Sequence, residues 1–238
     1  MAFDIPRMRV VPIEHVDVRL DPSPHPFEIA HADAIEENWQ AEIAAQPAYF
    51  DGRIVLLSRL VYRDGRLEGL CHPVRFATLM YWRRDRTEKI VEHSFAYAAL
   101  VSSDNALVAI RMAAHTANPG QVYFAAGSFE PADFPRGQVD LDFNMRREVG
   151  EETGLDLGEA EREAACYLYS VDNATVIFRR YRMDATADEI AARIAAFVAT
   201  ETEPEIDGPV ILRGIDDISA SMRPHMAAIV RWHFTGSS

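Results

Sequence analysis

Cysteine and long apolar runs are both scarce in this chain of 238 residues. The two cysteines, Cys71 and Cys166, lie far apart among apolar neighbours, which predicts buried free thiols and a reducing compartment instead of a disulfide framework. No apolar run approaches the roughly 20 residues that a membrane-spanning helix needs. The first six residues also lack the pattern of a signal peptide. We therefore expect a cytoplasmic protein with no membrane partner.

Positive charge is also in short supply. The chain has 24 Lys and Arg against 37 Asp and Glu, which gives a formal net charge of −13. This balance argues against nonspecific binding to nucleic acid or to an anionic membrane. An anionic substrate would then need a local positive field, supplied by a metal ion or by placed arginines. The apolar fraction of 48% is ordinary for a globular protein with a substantial core.

The most informative segment is Arg147-Glu148-Val149-Gly150-Glu151-Glu152-Thr153-Gly154-Leu155. On a helix, Glu148, Glu151 and Glu152 share one face, because residues three and four apart are neighbours there. Three carboxylates this close repel one another, and water or a divalent cation would have to screen them. Hard cations such as Mg²⁺ or Mn²⁺ prefer oxygen ligands. The segment therefore predicts one wall of a phosphate and metal site, the alternative being a solvated acidic helix face.

The residues around this segment support a helix independently of its charges. Leu141, Met145 and Val149 repeat at a spacing of four and predict a buried stripe. Asp140 or Asp142 can cap the start, and Gly154 can take the left-handed conformation at the end. We expect Arg147, which reaches Glu151 one turn away, to hold the carboxylates and the preceding loop in place.

The nine residues resemble the core of the Nudix box, R-E-U-x-E-E-x-G-U, in which U is an aliphatic residue. The full family pattern starts with a glycine 14 residues before the arginine, whereas Gly127 precedes Arg147 by 20 residues. The six extra residues would fall in a loop at 131–139, which contains two prolines and a glycine. The upstream glutamate of the family would align with Val139, so either the neighbouring Asp140 substitutes for it or the role is lost.

The order of predicted elements also resembles the Nudix α/β/α sandwich, in which a mixed sheet is packed between helices. We expect an α/β protein with a small α+β region at 1–92 and a Nudix hydrolase domain at 93–238. Predicted strands lie at 10–20, 53–62, 67–72, 94–102, 106–112, 121–126, 164–171, 175–183 and 209–213. Predicted helices lie at 32–46, 76–86, across the acidic segment, 186–200 and 223–234.

The first region carries a second resemblance. Asn38-Trp39, Ala44-Ala45-Gln46-Pro47 and Phe50-Asp51-Gly52 precede a strand, with a spacing similar to that in the Nudix enzymes that cleave UDP-glucose and UDP-galactose. This resemblance implies a UDP-sugar-like substrate and suggests that the long loop adds a wall to the substrate pocket. The alternative is that Trp39 and Phe50 are core anchors at a corner between helix and strand.

The resemblance implies Mg²⁺- or Mn²⁺-dependent hydrolysis of a nucleoside diphosphate linked to another group, giving a nucleoside monophosphate and a sugar 1-phosphate. Glu148, Glu151, Glu152 and a backbone carbonyl at Gly127 or Ala126 are the expected metal ligands. Glu151, Glu152 and Arg147 are the expected catalytic residues, with Glu151 either a further ligand or the base for the attacking water. Glu201, Glu203 and Glu205 are candidates for a distal glutamate, or they form an ordinary solvated loop.

Substrate phosphates would need positive side chains. Arg111 resembles an arginine often found near the phosphates in this family, and Arg180 is the second predicted substrate contact. Arg180 and Arg182 share one face of a strand while Arg179 points to the other, and a surface role is the alternative for each. We interpret His93 and His115 as structural. We interpret the aromatic side chains of Tyr123, Phe124 and Phe129 as core residues, the alternative being that they stack on a base or sugar.

Other functions remain open at this stage. A nucleotide or metabolite sensor on the same fold would bind without catalysis, and a diphosphatase for a different nucleotide would keep the chemistry. In each case the expected partner is a small-molecule nucleotide and not a nucleic acid. The sequence leaves open the base, the sugar, and whether the protein is a monomer or a homodimer.

Overall fold

A computed structural model describes residues 2–84, 86 and 88–236, and within these residues the chain forms two β-sheets and six α-helices. The strands are β1 (Phe3–Asp4), β2 (Val11–Ile13), β3 (His15–Leu20), β4 (Arg53–Arg63), β5 (Arg66–Arg75), β6 (His93–Val101), β7 (Leu107–Met112), β8 (Val122–Tyr123), β9 (Glu161–Arg162), β10 (Cys166–Val171), β11 (Ala174–Arg182) and β12 (Ile206–Leu212). The helices are α1 (Pro26–Ala30), α2 (Ala32–Ala45), α3 (Phe76–Arg84), α4 (Leu141–Thr153), α5 (Ala187–Val198) and α6 (Pro224–Thr235). Over the described residues, no helix has both the length and the apolar composition needed to cross a membrane.

The smaller sheet has the strand order β1-β4-β5-β3. Its central hairpin, β4 and β5, turns at Asp64 and Gly65, which both adopt positive φ (47° and 78°), as a tight hairpin turn requires. Helices α2 and α3 pack against each other, and buried Trp39 meets Phe76 edge to face. The expectation that Phe50 is a core anchor is wrong, because its side chain is 84% exposed.

The larger sheet has the order β12-β7-β6-β11-β10-β2, with β6 and β11 parallel and with β8 and β9 paired at its sides. Side chains on β11 alternate between the two faces. Arg179 and Tyr181 donate hydrogen bonds to Asp142 of α4, whereas Phe178 packs against Trp232 of α6. Helices therefore cover both faces of a mixed sheet, and the predicted α/β/α class is confirmed.

The two sheets are joined by the N-terminal segment. The predicted strand at 10–20 is wrong as one element, because it divides at Glu14, whose N–H donates to the Gly65 carbonyl at 2.8 Å. β2 then pairs with β10 in the larger sheet, and β3 pairs with β5 in the smaller one. One apolar core contains residues from both regions, including Leu57 and Ile177. The domain boundary at residue 92 stays a prediction, and it falls at Glu92, a buried residue whose backbone pairs with Leu57 of β4.

The cysteines lie within the core. Both are buried free thiols, as the sequence predicted. Burial raises the pKa of Cys71 to about 12 and that of Cys166 to about 11. Thiols with such high pKa values hold little thiolate at neutral pH, so neither is a reactive nucleophile.

Candidate functional site

Helix α4 has the boundaries that its sequence predicted. The Asp140 carboxylate accepts a hydrogen bond from the Phe143 N–H at 2.9 Å, and Gly154 ends the helix at φ 66°. Its apolar stripe faces the core, and the members of that stripe, Leu141, Met145 and Val149, are buried. This packing fixes the rotation of the helix and directs the acidic residues of its second half toward the loop that follows β8.

Two glutamates of α4 meet that loop. Glu148 and Glu152 are only 6% and 7% exposed, and they lie one helical turn apart. The Ala126 N–H donates to Glu152 Oε2 at 2.9 Å. A Cβ atom added to Gly127 would lie 2.5 Å from Glu148 Oε1, so only glycine leaves room for the carboxylate here. The structure thus brings together Gly127, Glu148 and Glu152, three of the predicted metal-site residues.

Burial dominates the electrostatics of the two carboxylates. It raises the pKa of Glu148 to about 8, even though the Arg147 guanidinium lies 2.8 Å away and acts in the opposite direction. Burial also raises the pKa of Glu152 well above its ordinary value, and the charges of Glu148 and Glu205 add to the effect. Keeping both groups ionised is therefore unfavourable unless a cation joins them.

Arg147 lies at the centre of the acidic residues. Its guanidinium is 3.2 Å from Asp133, 2.8 Å from Glu148 and 3.2 Å from Glu151. Burial lowers the pKa of Arg147, but the charges of Glu148 and Asp133 outweigh burial and raise it. The Glu151 side chain is 61% exposed and turned to this guanidinium. Arg147 thus connects α4 to the preceding loop, which is the positioning role that we expected.

Asp133 is the residue that sequence reasoning missed. Its buried carboxylate accepts hydrogen bonds from the Glu130 N–H at 2.8 Å, from Asn144 Nδ2 at 2.9 Å and from Arg147. Asp140, the expected substitute for the family's upstream glutamate, caps the helix instead. Asp133 ends a three-residue 3₁₀ turn, which is too short for any periodicity in the sequence to identify it.

The loop at 131–139 packs against the smaller sheet. It forms two 3₁₀ turns, Pro131–Asp133 and Pro135–Gly137, and the Val139 N–H donates to the Val18 carbonyl of β3 at 3.0 Å. The loop therefore lies against the smaller sheet. None of its residues lines the cavity beside Gly127 that is described below, whereas Pro135, Arg136 and Gln138 line a separate cavity next to Asp142 of α4. The role of this loop as a substrate-pocket wall stays a prediction.

The predicted distal glutamates and substrate-binding arginines differ in how they lie relative to Glu148 and Glu152. Glu205 is the one of the three acidic candidates whose charge contributes to the raised pKa of Glu152. Arg111 donates to the Gly120 carbonyl at 3.3 Å. Arg180 is paired with Glu163 at 2.6 and 2.7 Å and lies over Trp232, on the α6 face of the sheet. The structure therefore does not bring Arg180 to the carboxylates of α4.

A cavity of about 200 Å³ opens beside Ala126 and Gly127. It lies between α3, β6 and the start of α6, so both regions of the chain form its walls. Burial lowers the pKa of His93 in its wall to about 3, and this ring lies 2.9 Å from Ser128 Oγ. His93 is therefore neutral near neutral pH and serves as a hydrogen-bonding wall residue.

The donor set can be tested against a divalent cation. Among the residues that the structure describes, no three His, Cys, Asp or Glu side chains form a preassembled metal cage. Mg²⁺ seldom uses such a cage, because it usually binds through one or two carboxylates, several waters and the phosphates of a substrate. Glu148 and Glu152 beside the Ala126–Gly127 backbone supply only hard oxygen donors. They fit an ion that binds together with a phosphate ligand.

Comparison with known proteins gives structural similarity alone. No family model matches the chain, and no curated protein sequence matches it. DR0079 from Deinococcus radiodurans shares 15% identity over 68% of this chain and 83% of its own, with a TM-score of 0.40. A MutT protein from Methanosarcina mazei Go1 shares 19% identity over 40% of this chain and 64% of its own, with a TM-score of 0.30. The E. coli ORF135 protein shares 14% identity over 58% of this chain and 86% of its own, with a TM-score of 0.34. These values are too low to assign a family, so function must be argued from the site.

Proposed function

We propose that this chain is a Nudix-type hydrolase that cleaves the diphosphate bridge of a nucleoside diphosphate joined to another group, with a nucleotide sugar as the first substrate class. The proposal rests on one observation. Two buried glutamates, Glu148 and Glu152, meet the Ala126–Gly127 backbone within a motif that matches the core of the Nudix box. Neither a nucleic acid nor a membrane forms part of the proposal.

The chain's own residues have distinct roles in this proposal. Glu148 and Glu152 would hold a divalent cation, with the backbone at Gly127 beside them. A bound Mg²⁺ or Mn²⁺ supplies charge neutralisation and water activation at a phosphate. Arg147 keeps the helix and loop in register through Asp133. Glu151 pairs with Arg147 but is 61% exposed, so it would accept a proton from water at the edge of the site. Water adds across the phosphoanhydride, so a UDP-hexose gives UMP and a hexose 1-phosphate.

The decisive experiment is a panel of UDP-sugars, ADP-sugars, dinucleotides and nucleoside triphosphates incubated with Mg²⁺ or Mn²⁺. Products are identified by mass, and hydrolysis in ¹⁸O-labelled water shows which phosphorus is attacked. We expect metal-dependent release of a nucleoside monophosphate, fastest from a nucleotide sugar. Equal, poor turnover of every compound would contradict the proposal.

One observation favours a second function. Glu148 and Glu152 are turned to Arg147 and to Ala126, and the described residues hold no preassembled three-ligand cage. A sensor that binds a nucleotide without cleaving it would need no such cage. In the same panel, a sensor would show saturable binding without products.

A further inference from the structure

Three arginines line the cavity beside the carboxylate site, and none of them pairs with a described carboxylate. Arg83 comes from α3, Arg86 follows that helix, and Arg223 is the residue before α6. Arg83 Nη2 donates to Asn118 Oδ1 at 2.8 Å, and Arg86 Nη1 donates to the backbone carbonyl of Asp172 at 3.3 Å. These hydrogen bonds orient Arg83 and Arg86 through neutral groups. The charge of Asp172, in the same cavity wall, and the Trp82 ring, 5.1 Å from Arg86 Cζ, offset part of the Arg86 charge. The cluster as a whole keeps an excess of positive charge.

Such a cluster is unusual in a chain with a net charge of −13. Elsewhere in the fold, partly buried arginines such as Arg147, Arg179 and Arg180 each have a carboxylate partner. Burial lowers the pKa of Arg83, and the neighbouring positive charges of Arg223 and Arg86 lower it further. Neighbouring positive charges repel one another, and an anion bound between them would relieve that repulsion.

The start of α6 adds to this positive field. Pro224 and His225, at the beginning of this 12-residue helix, also line the cavity. The free N–H groups in the first turn of a helix carry partial positive charge and favour anions. Burial and the charges of Arg223 and Arg86 lower the pKa of His225 to about 4, so its ring stays neutral near neutral pH.

The rest of the wall is aromatic. The rings in this wall come from α3 and from the larger sheet, and they are Phe76, Trp82, Phe95, Tyr97 and Tyr123. Trp82 is only 1% exposed, and its indole N–H has no hydrogen-bond partner among the residues that the structure describes. Buried polar groups normally have a partner, so this N–H is an unused donor in the cavity wall. A flat ring with acceptor atoms would satisfy it and would pack against the other rings.

We propose that this cavity binds the nucleoside monophosphate unit of the ligand, with its phosphate at Arg83, Arg86 and Arg223 and its base among the aromatic rings. This inference rests on the proposed function in one respect. It takes the nucleoside monophosphate to be the half of the substrate whose phosphate lies next to Glu148 and Glu152. It also gives the N-terminal region a role, since α3 supplies Trp82 and two of the arginines lie on or just after this helix.

The test measures binding without hydrolysis. UMP and AMP are titrated into the whole protein in EDTA, by calorimetry and by tryptophan fluorescence, with uridine and adenosine as phosphate-free probes. We expect at least one monophosphate to bind and its nucleoside to bind at least 10-fold more weakly. Arg83→Gln, Arg86→Gln and Arg223→Gln should each weaken monophosphate binding at least 10-fold. Arg193→Gln is the matched control, because Arg193 pairs with Glu159 on the surface. The affinity of this variant for the monophosphate should differ from that of the parent by less than twofold.

Several outcomes would overturn the inference. The first is that neither monophosphate binds in EDTA, and the second is that the three variants bind as tightly as the parent. Arg223 is exposed, so its variant should fold even if Arg83→Gln does not, and melting curves verify this. Failure of the proposed function is distinguishable. Arginine-dependent binding without hydrolysis of any substrate would overturn only the hydrolase proposal, whereas hydrolysis with arginine-independent binding would overturn only this inference.

Discussion

The acidic side and the basic side of the site beside Gly127 are built in different ways. The larger sheet carries α4, whose Glu148 and Glu152 lie beside Gly127, while the smaller sheet carries α3, which brings Arg83 to the cavity and Arg86 just after it. The acidic side is a contiguous motif on one helix, whereas the basic side is assembled from segments that are distant in the sequence. Neither sheet alone forms the whole site, and the contrast explains why only the acidic side could be recognised from sequence.

The two sides also differ in how they are held. The acidic residues are fixed by Arg147, which connects them to buried Asp133. The arginines have hydrogen bonds to neutral groups and no described carboxylate partner. The acidic side is therefore ordered by the protein itself. The three arginines of the basic side form no ion pair with a described carboxylate, and an anionic ligand would supply that partner. Separate substitutions on the two sides should have separable effects.

The largest effect should come from Glu152→Gln. The change keeps the shape of the side chain and its hydrogen bond from Ala126, but it removes a charge from the proposed cation site. Turnover should fall by roughly 10²–10⁴-fold, while metal-free binding of a nucleoside monophosphate stays within about twofold. Steady-state kinetics and calorimetry measure the two quantities. Glu159→Gln, at an exposed surface ion pair, is the control. Parental turnover under saturating Mg²⁺ would show that Glu152 is not a ligand.

A smaller effect should follow from Gly127→Ala. The new Cβ would lie 2.5 Å from Glu148 Oε1, so the carboxylate must move while the backbone stays in place. Because a displacement of about 1 Å in a catalytic group can cost up to ~100-fold in rate, we expect turnover to fall roughly 10- to 100-fold. The free energy of unfolding should change by less than ~2 kcal/mol.

Gly150→Ala is the matched control for Gly127→Ala. Gly150 lies within α4, and an added Cβ there would contact nothing within 4 Å. Alanine in the interior of a helix is favoured over glycine by about 0.5–1 kcal/mol, so this variant should be more stable and fully active. If both alanine variants keep full activity, the close approach of the loop to Glu148 has no functional importance.

The smallest effect should be on stability as a function of pH, without metal. Burial raises the pKa of Glu148 from its ordinary 4.5 to about 8. Between these two pH values the folded protein keeps a proton that the unfolded chain has released, so the free energy of unfolding falls as pH rises. Glu148→Gln should reduce that fall and should be more stable than the parent at pH 8 by about 1–3 kcal/mol.

Urea denaturation in EDTA at pH 5 and pH 8 measures this difference. Glu152 keeps its own raised pKa in the variant, so the dependence on pH should decrease without disappearing. Glu159→Gln again serves as the control, since its surface carboxylate should leave the dependence unchanged. A variant that is less stable than the parent at pH 8 would show that the ion pair between Glu148 and Arg147 outweighs burial.

Local patterns predicted most elements of the fold. Helix α4 follows from its apolar stripe, its Asp140 cap and the left-handed Gly154. The β4–β5 hairpin follows from Asp64 and Gly65 at its turn. Such features depend on neighbours within a few residues, which a sequence shows directly. The place of Gly127 beside α4 was predicted from the resemblance of its loop to a longer family pattern.

Features that depend on distant contacts were not predictable. The exposure of Phe50 depends on how the chain leaves α2, and Tyr49 contacts Phe76 in its place. Arg180 pairs with Glu163 on the far face of the sheet, although its position on the strand was predicted. The arginine cavity escaped prediction because Arg223 lies more than a hundred residues from Arg83 and Arg86 in the sequence, and the three share no motif.

The division of the N-terminal strand at Glu14 has a consequence for the integrity of the larger sheet. β2 covers the outer edge of β10, with Pro12 at a position where a missing N–H is tolerated. A fragment beginning at residue 93 would lack this cover and would present an unpaired row of N–H and C=O groups along β10. Open edges of this kind recruit strands from other molecules. Residues 11–13 therefore close the edge of β10 in the manner of a built-in complementing strand, and we expect a fragment without them to self-associate.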